Sequence, residues 1–253
     1  MHRSRPGTVP PPGQRKFAMA DQRSAARFPT THWSRVVAGD RAALAELCAA
    51  YWYPLYAFVR RKGHDTETAR DLVQGFFADL LQRGDLAGVE PARGRFRSFL
   101  MATCSHYLAN QHDRARALKR GGGRPTVSLD APDAEGRYRR EPAHELTAER
   151  LYQRSWATTL LERVLGRLEA EQTAAGKGRV FTVLSPALLG SAERVPYAQA
   201  AATLGITEGA ARAAAARLRD RYRALLRAEV GGTVADEAAV DEEIRDLFAA
   251  LGD

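Results

Sequence analysis

The sequence predicts an all-α protein in which two small helical domains are joined by a linker. Apolar residues recur every three to four positions through most of the chain, which is the period of an amphipathic helix. No segment shows the alternation of apolar and polar residues that is typical of a strand. Residues 121–147 hold Gly, Pro and mixed charge without any period, which predicts the linker. A length of 253 residues suits two domains.

The first predicted domain covers residues 29–120 and contains three helices. Residues 1–28 before it are basic and rich in proline, which predicts a disordered tail and, without an apolar segment, argues against a signal peptide. The first helix begins near Arg41, and Asp65 is placed to cap the second. The third begins at Phe96 and continues into a run of basic residues.

The second predicted domain, residues 148–230, ends in a helix-turn-helix at residues 196–226. Between its two helices Gly205 can adopt the positive φ of a tight turn, and Ile206 is expected to fill the angle between the helices. Thr207 is placed to cap the second helix. This arrangement is typical of domains that lay the second helix in the major groove of DNA.

Charge supports a nucleic-acid partner. The chain carries a net charge of +8, but residues 233–253 carry −6, so the rest carries +14. Arg212 and Arg217 in the second helix of the motif are long enough to reach base edges, and Arg219 is better suited to phosphate. Glu208 suits the positive end of that helix. The alternative is a solvated basic helix in an ordinary helical hairpin.

A second polar surface is predicted on the third helix. Its members are separated by three, four and four residues, which places them on one face of a helix; they are Thr103, His106, Asn110 and Arg114. Such a stripe suits contact with the bases and backbone of a nucleic-acid strand. The alternative for His106 is a surface histidine without a role.

The acidic C-terminal segment, residues 231–253, has apolar residues at helical spacing. It is expected to form a short amphipathic helix that folds back on a basic face of the second domain and lowers affinity for DNA. The alternative is a charged tail that only aids solubility.

Several classes of protein are not supported by the residues present. Cys48 and Cys104 lie on apolar helical faces, so neither a disulfide framework nor a metal cluster is expected, and a reducing cytoplasm fits best. The six histidines lack ligand spacing and the carboxylates are scattered, so no catalytic residue, metal or cofactor is predicted. No apolar run approaches the length of a membrane span. The expectation is a binding protein of the cytoplasm and not an enzyme.

Two segments resemble a known family. DLVQGFF at 71–77 and GRFRSFL at 94–100, followed by a helix-turn-helix, resemble the extracytoplasmic-function class of bacterial sigma factors in the sigma-70 family, which keeps only sigma regions 2 and 4. The resemblance covers residues 41–120 and 150–227. With its C-terminal extension, the chain is similar to the planctomycete-type subgroup.

The resemblance implies a role in starting transcription with core RNA polymerase and promoter DNA as partners. Region 2 would bind the polymerase clamp and melt the minus-10 element, and region 4 would bind the flap and the minus-35 element. The residues implied for core binding are Asp71, Gln74 and Asp79. Those implied for minus-10 recognition are Arg97, Thr103, His106, Asn110 and Arg114. Those implied for minus-35 recognition are Glu208, Arg212, Arg217 and Arg219.

The chain also departs from the family pattern. His106 and Asn110 stand where the family commonly has Asn and Asp, and three alanines replace polar or bulky residues in the recognition helix, so the promoter sequence is not implied. The resemblance further implies that residues 121–147 thread the RNA exit path of the polymerase. An anti-sigma factor or a regulatory kinase would be further partners of such a protein.

Two other functions fit parts of the sequence. A stand-alone helix-turn-helix repressor or activator would use the first domain for ligand binding or dimerisation, but it would need no polar Asp71 and Gln74 beside so apolar a stripe. A protein that binds polymerase without contacting specific DNA is disfavoured by the arginines between Arg212 and Arg223.

Overall fold

The computed structural model describes residues 40–82, 95–117, 133–141, 146–188, 196–234 and 237–252. These residues are 85% helical and contain no strand, which confirms the all-α prediction. No helix among them is long and apolar enough to cross a membrane. The predicted tail, residues 1–28, lies outside the described residues. In chain order the helices are α1 (Arg41–Arg61), α2 (Thr66–Gln82), α3 (Phe96–Ala117), α4 (Ala134–Arg140), α5 (Ala148–Ala174), α6 (Gly178–Leu184), α7 (Tyr197–Leu204), α8 (Glu208–Gly231) and α9 (Ala238–Ala249).

Side-chain caps set where the first two helices begin. The Asp40 carboxylate accepts a hydrogen bond from the backbone N–H of Ala42 at 2.9 Å, and this bond starts α1. The predicted cap at Asp65 is confirmed, because its Oδ1 accepts from the Thr68 N–H at 2.9 Å. The bonds to Thr68 lower the pKa of Asp65.

Helices α1 and α5 pack along each other at the centre of the molecule, although the sequence predicted them for different domains. Phe58 of α1 and Tyr152 of α5 are fully buried, with ring centroids 6.2 Å apart. Trp156 of α5 is buried in the same cluster. Residues 31–253 form one compact unit, so the predicted division into two domains is not confirmed. Helical periodicity identifies an apolar face but not the helix against which that face packs.

A helix lies inside the segment predicted to be an unstructured linker. Residues Ala134–Arg140 form α4, and Glu135 joins it to α1 through an ion pair with Arg60 at 3.0 Å. The Tyr56 hydroxyl donates to the same carboxylate at 2.7 Å, and the guanidinium of Arg137 lies 3.9 Å from the ring centroid of Tyr53. The prediction that 121–147 lacks regular structure is therefore wrong at these residues, because contacts with α1 stabilise a helix too short to show a period.

The helix-turn-helix forms as predicted, with one exception. Gly205 adopts a left-handed conformation with φ of 69°, and the Thr207 hydroxyl caps α8 by accepting from the Ala210 N–H at 3.2 Å. Ile206, however, is 39% exposed and does not fill the angle between the helices. Instead Ala200 of α7 and Ala211 of α8 are buried, and such small side chains let two helices approach closely.

The acidic C-terminal segment forms helix α9 and folds back on the molecule, packing against α8 and α5. Val240 and Leu247 are buried on its inner face, as is the carboxylate of Glu243. The start of α3 also meets the end of α8, because the Phe96 N–H donates to the Thr233 carbonyl at 3.4 Å. The sequence predicted that the C-terminal helix docks on the second domain alone, whereas α9 also contacts the start of α3.

Candidate nucleic-acid interface

The exposed face of α8 carries the residues predicted for minus-35 recognition. Arg212 is exposed and donates through Nε to the Glu208 carboxylate at 3.1 Å, one turn earlier. This hydrogen bond raises the pKa of Arg212. The Arg212 guanidinium also lies 5.5 Å from the ring centroid of Tyr197 in α7. Glu208 and Tyr197 therefore hold the Arg212 side chain in one orientation at the start of the helix.

The other arginines of α8 differ in how freely they can reach a ligand. Arg217 is exposed, and no described residue forms an ion pair or hydrogen bond with its side chain. Arg219, predicted to meet phosphate, is half-buried and donates to the Tyr197 hydroxyl at 3.0 Å. Arg221 binds Glu171 of α5, and Arg223 binds Asp220 on its own helix. Arg217 is thus the α8 arginine best placed to bind an external group.

A strip of small residues lies between the two predicted base-reading arginines. At 3.6 residues per turn, positions five apart differ by about 140° around the helix, so Arg212 and Arg217 lie on opposite flanks. Gly209 and Ala213 are exposed between them. Side chains this small permit close approach of the helix to a groove, and alanine can contact thymine methyl groups.

The polar stripe predicted on α3 faces solvent where its side chains are described. His106 and Asn110 are exposed, and Thr103 is half-buried nearer the core. The opposite face of the helix is buried through Leu100 and Cys104. Arg114 falls within α3, but its side chain lies outside the described residues. The structure therefore brings Thr103, His106 and Asn110 onto one accessible face.

The residues predicted for core binding lie on α2. Asp71 is exposed, and Gln74 and Asp79 are half-buried. Gly75, within the DLVQGFF motif, lets α3 approach closely, because a Cβ atom at this position would lie 2.5 Å from the Tyr107 hydroxyl oxygen. The apolar residues of the motif, Phe76 and Phe77, are buried. The motif thus combines a packed inner face with an exposed polar one.

Arg97, predicted to contact the minus-10 element, is only 5% exposed and is enclosed by α9 and α5. Its guanidinium binds the buried Glu243 carboxylate through Nε at 2.7 Å and Nη2 at 3.0 Å, and it reaches Asp246 at 3.2 Å. It also donates to Gln153 and lies 4.5 Å from the Trp156 ring centroid. DNA cannot reach Arg97 in this conformation, so its predicted contact with the minus-10 element would require α9 to move and stays a prediction.

Arg95, which was not predicted as a site residue, lies close to Arg97 and also binds α9. It is paired with Glu242 at 3.1 Å, with Glu243 at 2.9 Å and with Asp246. A third arginine, Arg227 of α8, is paired with Asp241. We refer to α9 with Arg95 and Arg97 as the acidic clasp. The opposite charges of the two segments were visible in the sequence, but their pairing was not.

The cysteines and histidines do not form a reactive centre in the part of the chain that the structure describes. Burial raises the pKa of the Cys48 thiol to about 11 and that of Cys104 to about 12, so both stay protonated. Within the same ranges, no group of three or more His, Cys, Asp or Glu side chains is placed to hold a metal ion.

No family model, curated protein or solved structure matches this chain. The geometry of α8, α3 and α2 and the charges around them are therefore the features that indicate function.

Proposed function

We propose that the protein is a transcription initiation factor of the sigma type, which binds core RNA polymerase and directs it to promoters. The observation that carries the proposal is the helix-turn-helix, in which the first turns of α8 are exposed. There Arg212, which is paired with Glu208, and Arg217, with which no described residue pairs, flank a strip of small residues. This surface has the size and charge to enter a major groove, where arginine pairs best with guanine. On this proposal it reads the minus-35 element.

The first half of the chain supplies the two further functions that a sigma factor needs. The exposed stripe of α3, with His106 and Asn110, supports contact with the minus-10 element. The polar side of α2, with Asp71 and Gln74, supports binding to the polymerase clamp. A protein with these three surfaces acts by binding and needs neither a catalytic residue nor a cofactor. It would work in the cytoplasm, where an anti-sigma factor or a kinase could regulate it.

The second candidate is a stand-alone repressor or activator. The packing of α1 on α5 favours it, because a protein that acts alone gains from joining its parts in one core. The two candidates share α8 as the DNA-reading element. They differ in whether α2 binds core RNA polymerase, so a binding measurement on α2 variants distinguishes them.

The proposed core-binding surface is tested with the full chain and purified core RNA polymerase. We expect Asp71→Ala/Gln74→Ala to weaken binding to core by roughly tenfold or more, since central interface residues dominate affinity. Glu169→Ala/Gln172→Ala on α5 likewise removes one carboxylate and one amide, but from another surface, and is expected to leave the Kd unchanged. Biolayer interferometry measures both. Failure of the wild-type chain to bind core would favour the stand-alone regulator.

A further inference from the structure

Within the acidic clasp, α9 brings carboxylates to Arg97, which the sequence predicts for contact with DNA, and to its neighbour Arg95. Arg95 and Arg97 stand at the start of α3, next to the exposed stripe. Glu243 binds both arginines, and Asp246 does the same. Helix α9, which follows the second half of the chain, therefore neutralises two arginine charges of the first half.

The guanidinium of Arg97 is positioned by groups other than the carboxylates it binds. It lies over the Trp156 ring at 4.5 Å from the centroid, and its backbone carbonyl accepts a hydrogen bond from the buried Tyr152 hydroxyl at 2.9 Å. Both aromatic residues belong to α5. Without α9, Arg97 would keep this support and present its Nε and Nη2 donors outward. A fork of two parallel N–H donors suits phosphate as well as carboxylate.

Helix α9 is attached in a way that allows it to leave. It has 12 residues and buries Val240 and Leu247, while Phe248 remains 53% exposed. Its outer ion pairs, Arg95 with Glu242 and Arg227 with Asp241, join side chains that are each at least 28% exposed. Exposed pairs of this kind weaken as salt or a competing polyanion increases, whereas the buried pair between Arg97 and Glu243 is screened much less.

We propose that α9 is an intramolecular competitor of DNA, whose Glu243 and Asp246 carboxylates occupy a phosphate-binding site formed by Arg95 and Arg97. DNA and α9 exclude each other at this site, so the free chain binds DNA weakly until α9 is displaced. The inference deepens the proposed function, because it adds a regulated DNA contact beside the minus-10 surface. If the ion pairs were purely structural, removing the carboxylates would create no contacts with phosphate. If α9 competes with DNA, removing them creates new ones.

The salt dependence of DNA binding measures those contacts. The full chain and Glu243→Gln/Asp246→Asn are titrated by fluorescence anisotropy into a labelled 25-base-pair duplex of non-promoter sequence, at several KCl concentrations. Each freed arginine that meets a phosphate steepens the slope of log K against log salt by about 0.9, so we expect a steepening of about 1.8 and roughly tenfold tighter binding at low salt. Circular dichroism melting curves establish that each variant is folded.

Two controls separate the site from net charge. Glu169→Gln/Glu237→Gln removes two exposed carboxylates that do not contact Arg95 or Arg97, and it is expected to leave the slope unchanged. Adding Arg95→Ala/Arg97→Ala to the clasp variant should return the slope to the control value. If the clasp variant does not fold, a chain ending at Val234 takes its place, since it lacks the same carboxylates. Its salt slope should be steeper than that of the same shortened chain carrying Arg95→Ala/Arg97→Ala.

Equal slopes for the folded clasp variant and its control would overturn the proposal, as would a steeper slope that persists without the two arginines. These results do not depend on RNA polymerase. A protein that fails to bind core but shows the steeper slope would lose the sigma function and keep the competitor helix. A protein that binds core but shows no change in slope would keep the sigma function and lose the competitor helix.

Discussion

At the scale of single residues, the proposed DNA contact depends on small side chains as much as on arginines. Ala213 lies on the outermost line of α8, between the flanks that carry Arg212 and Arg217. A helix in a major groove approaches base edges within a few ångströms, so bulk on this line sets how deeply it can enter. Arg212 and Arg217 then reach outward on either side.

Replacing Ala213 with glutamate should abolish this approach without disturbing the fold. The position is exposed and glutamate is a good helix former, so the free energy of unfolding should change by less than about 0.5 kcal/mol. Bulk and negative charge at the groove should weaken DNA binding by roughly tenfold or more. Ala224→Glu is the matched control, since it places the same charge on an exposed position about 16 Å further along the helix.

Electrophoretic mobility shift with a labelled DNA duplex measures this difference. An Ala213→Glu protein that binds as well as Ala224→Glu would mean that the first turns of α8 do not enter the groove.

Residues whose role is local could be predicted from the sequence. The side chains of Asp65 and Thr207 each accept a hydrogen bond from the N–H three residues later, and Gly205 adopts a left-handed conformation itself. Spacing alone therefore predicted these roles. Arg97 could not be predicted in this way, because its partner Glu243 lies 146 residues later. A basic residue next to an apolar helix has the same local pattern whether it binds DNA or a distant carboxylate.

At the scale of elements, α4 shows how charge can hold a short helix against a larger one. A seven-residue helix is too short to be stable alone, so its contacts with α1 must stabilise it. Hydrogen bonds from Arg60 and Tyr56 lower the pKa of Glu135 to about 2. The ionised carboxylate is therefore the form that the folded state favours.

The lowered pKa predicts that α4 loosens in acid. Since the folded value lies below the usual glutamate value of about 4.3, the stabilisation is present above that pH and is lost as pH falls towards about 2. Solvent near the pair limits its size to about 1 to 2 kcal/mol at pH 7. Glu135→Gln should lower the free energy of unfolding at pH 7, and the difference from wild type should shrink between pH 4.5 and pH 2.

Urea unfolding at both ends of this range measures the difference, with the exposed Glu169→Gln as the control. A deficit in Glu135→Gln that does not change with pH would show that the ion pair with Arg60 does not hold α4.

The helices themselves were largely predictable, and their partners were not. The period of α9 predicted its helical form, and its charge predicted that it folds back. The predicted surface was incomplete, because opposite charge does not choose between Arg227 of α8 and Arg95, which directly precedes α3. Helix α4 was missed because seven residues hold fewer than two full periods.

At the scale of the whole molecule, the compact arrangement of residues 31–253 limits what the free chain can do. The minus-10 and minus-35 elements are about 25 base pairs apart, which is roughly 85 Å of duplex. A compact unit of this size has a radius of gyration of about 17 Å. On the proposed function, the α3 stripe and the α8 surface could therefore not occupy both elements until α1 and α5 separate.

This separation exposes apolar side chains, among them Phe58 and Tyr152. Exposing them costs free energy, which binding to another protein surface can offset. Core RNA polymerase is the partner that the proposed function supplies. On this account the structure is the closed, free state of the factor, and the open state exists on the polymerase.

Transcription reconstituted from purified components tests the central claim most directly. The full chain is added to core RNA polymerase with fragmented genomic DNA, and the 5′ ends of the transcripts are sequenced. If the protein is a sigma factor, the transcripts have discrete start sites that share two upstream sequence elements, and these start sites are lost with Ala213→Glu. Transcripts without defined starts, together with protection of an operator by the chain alone, would contradict the sigma function and identify a stand-alone regulator.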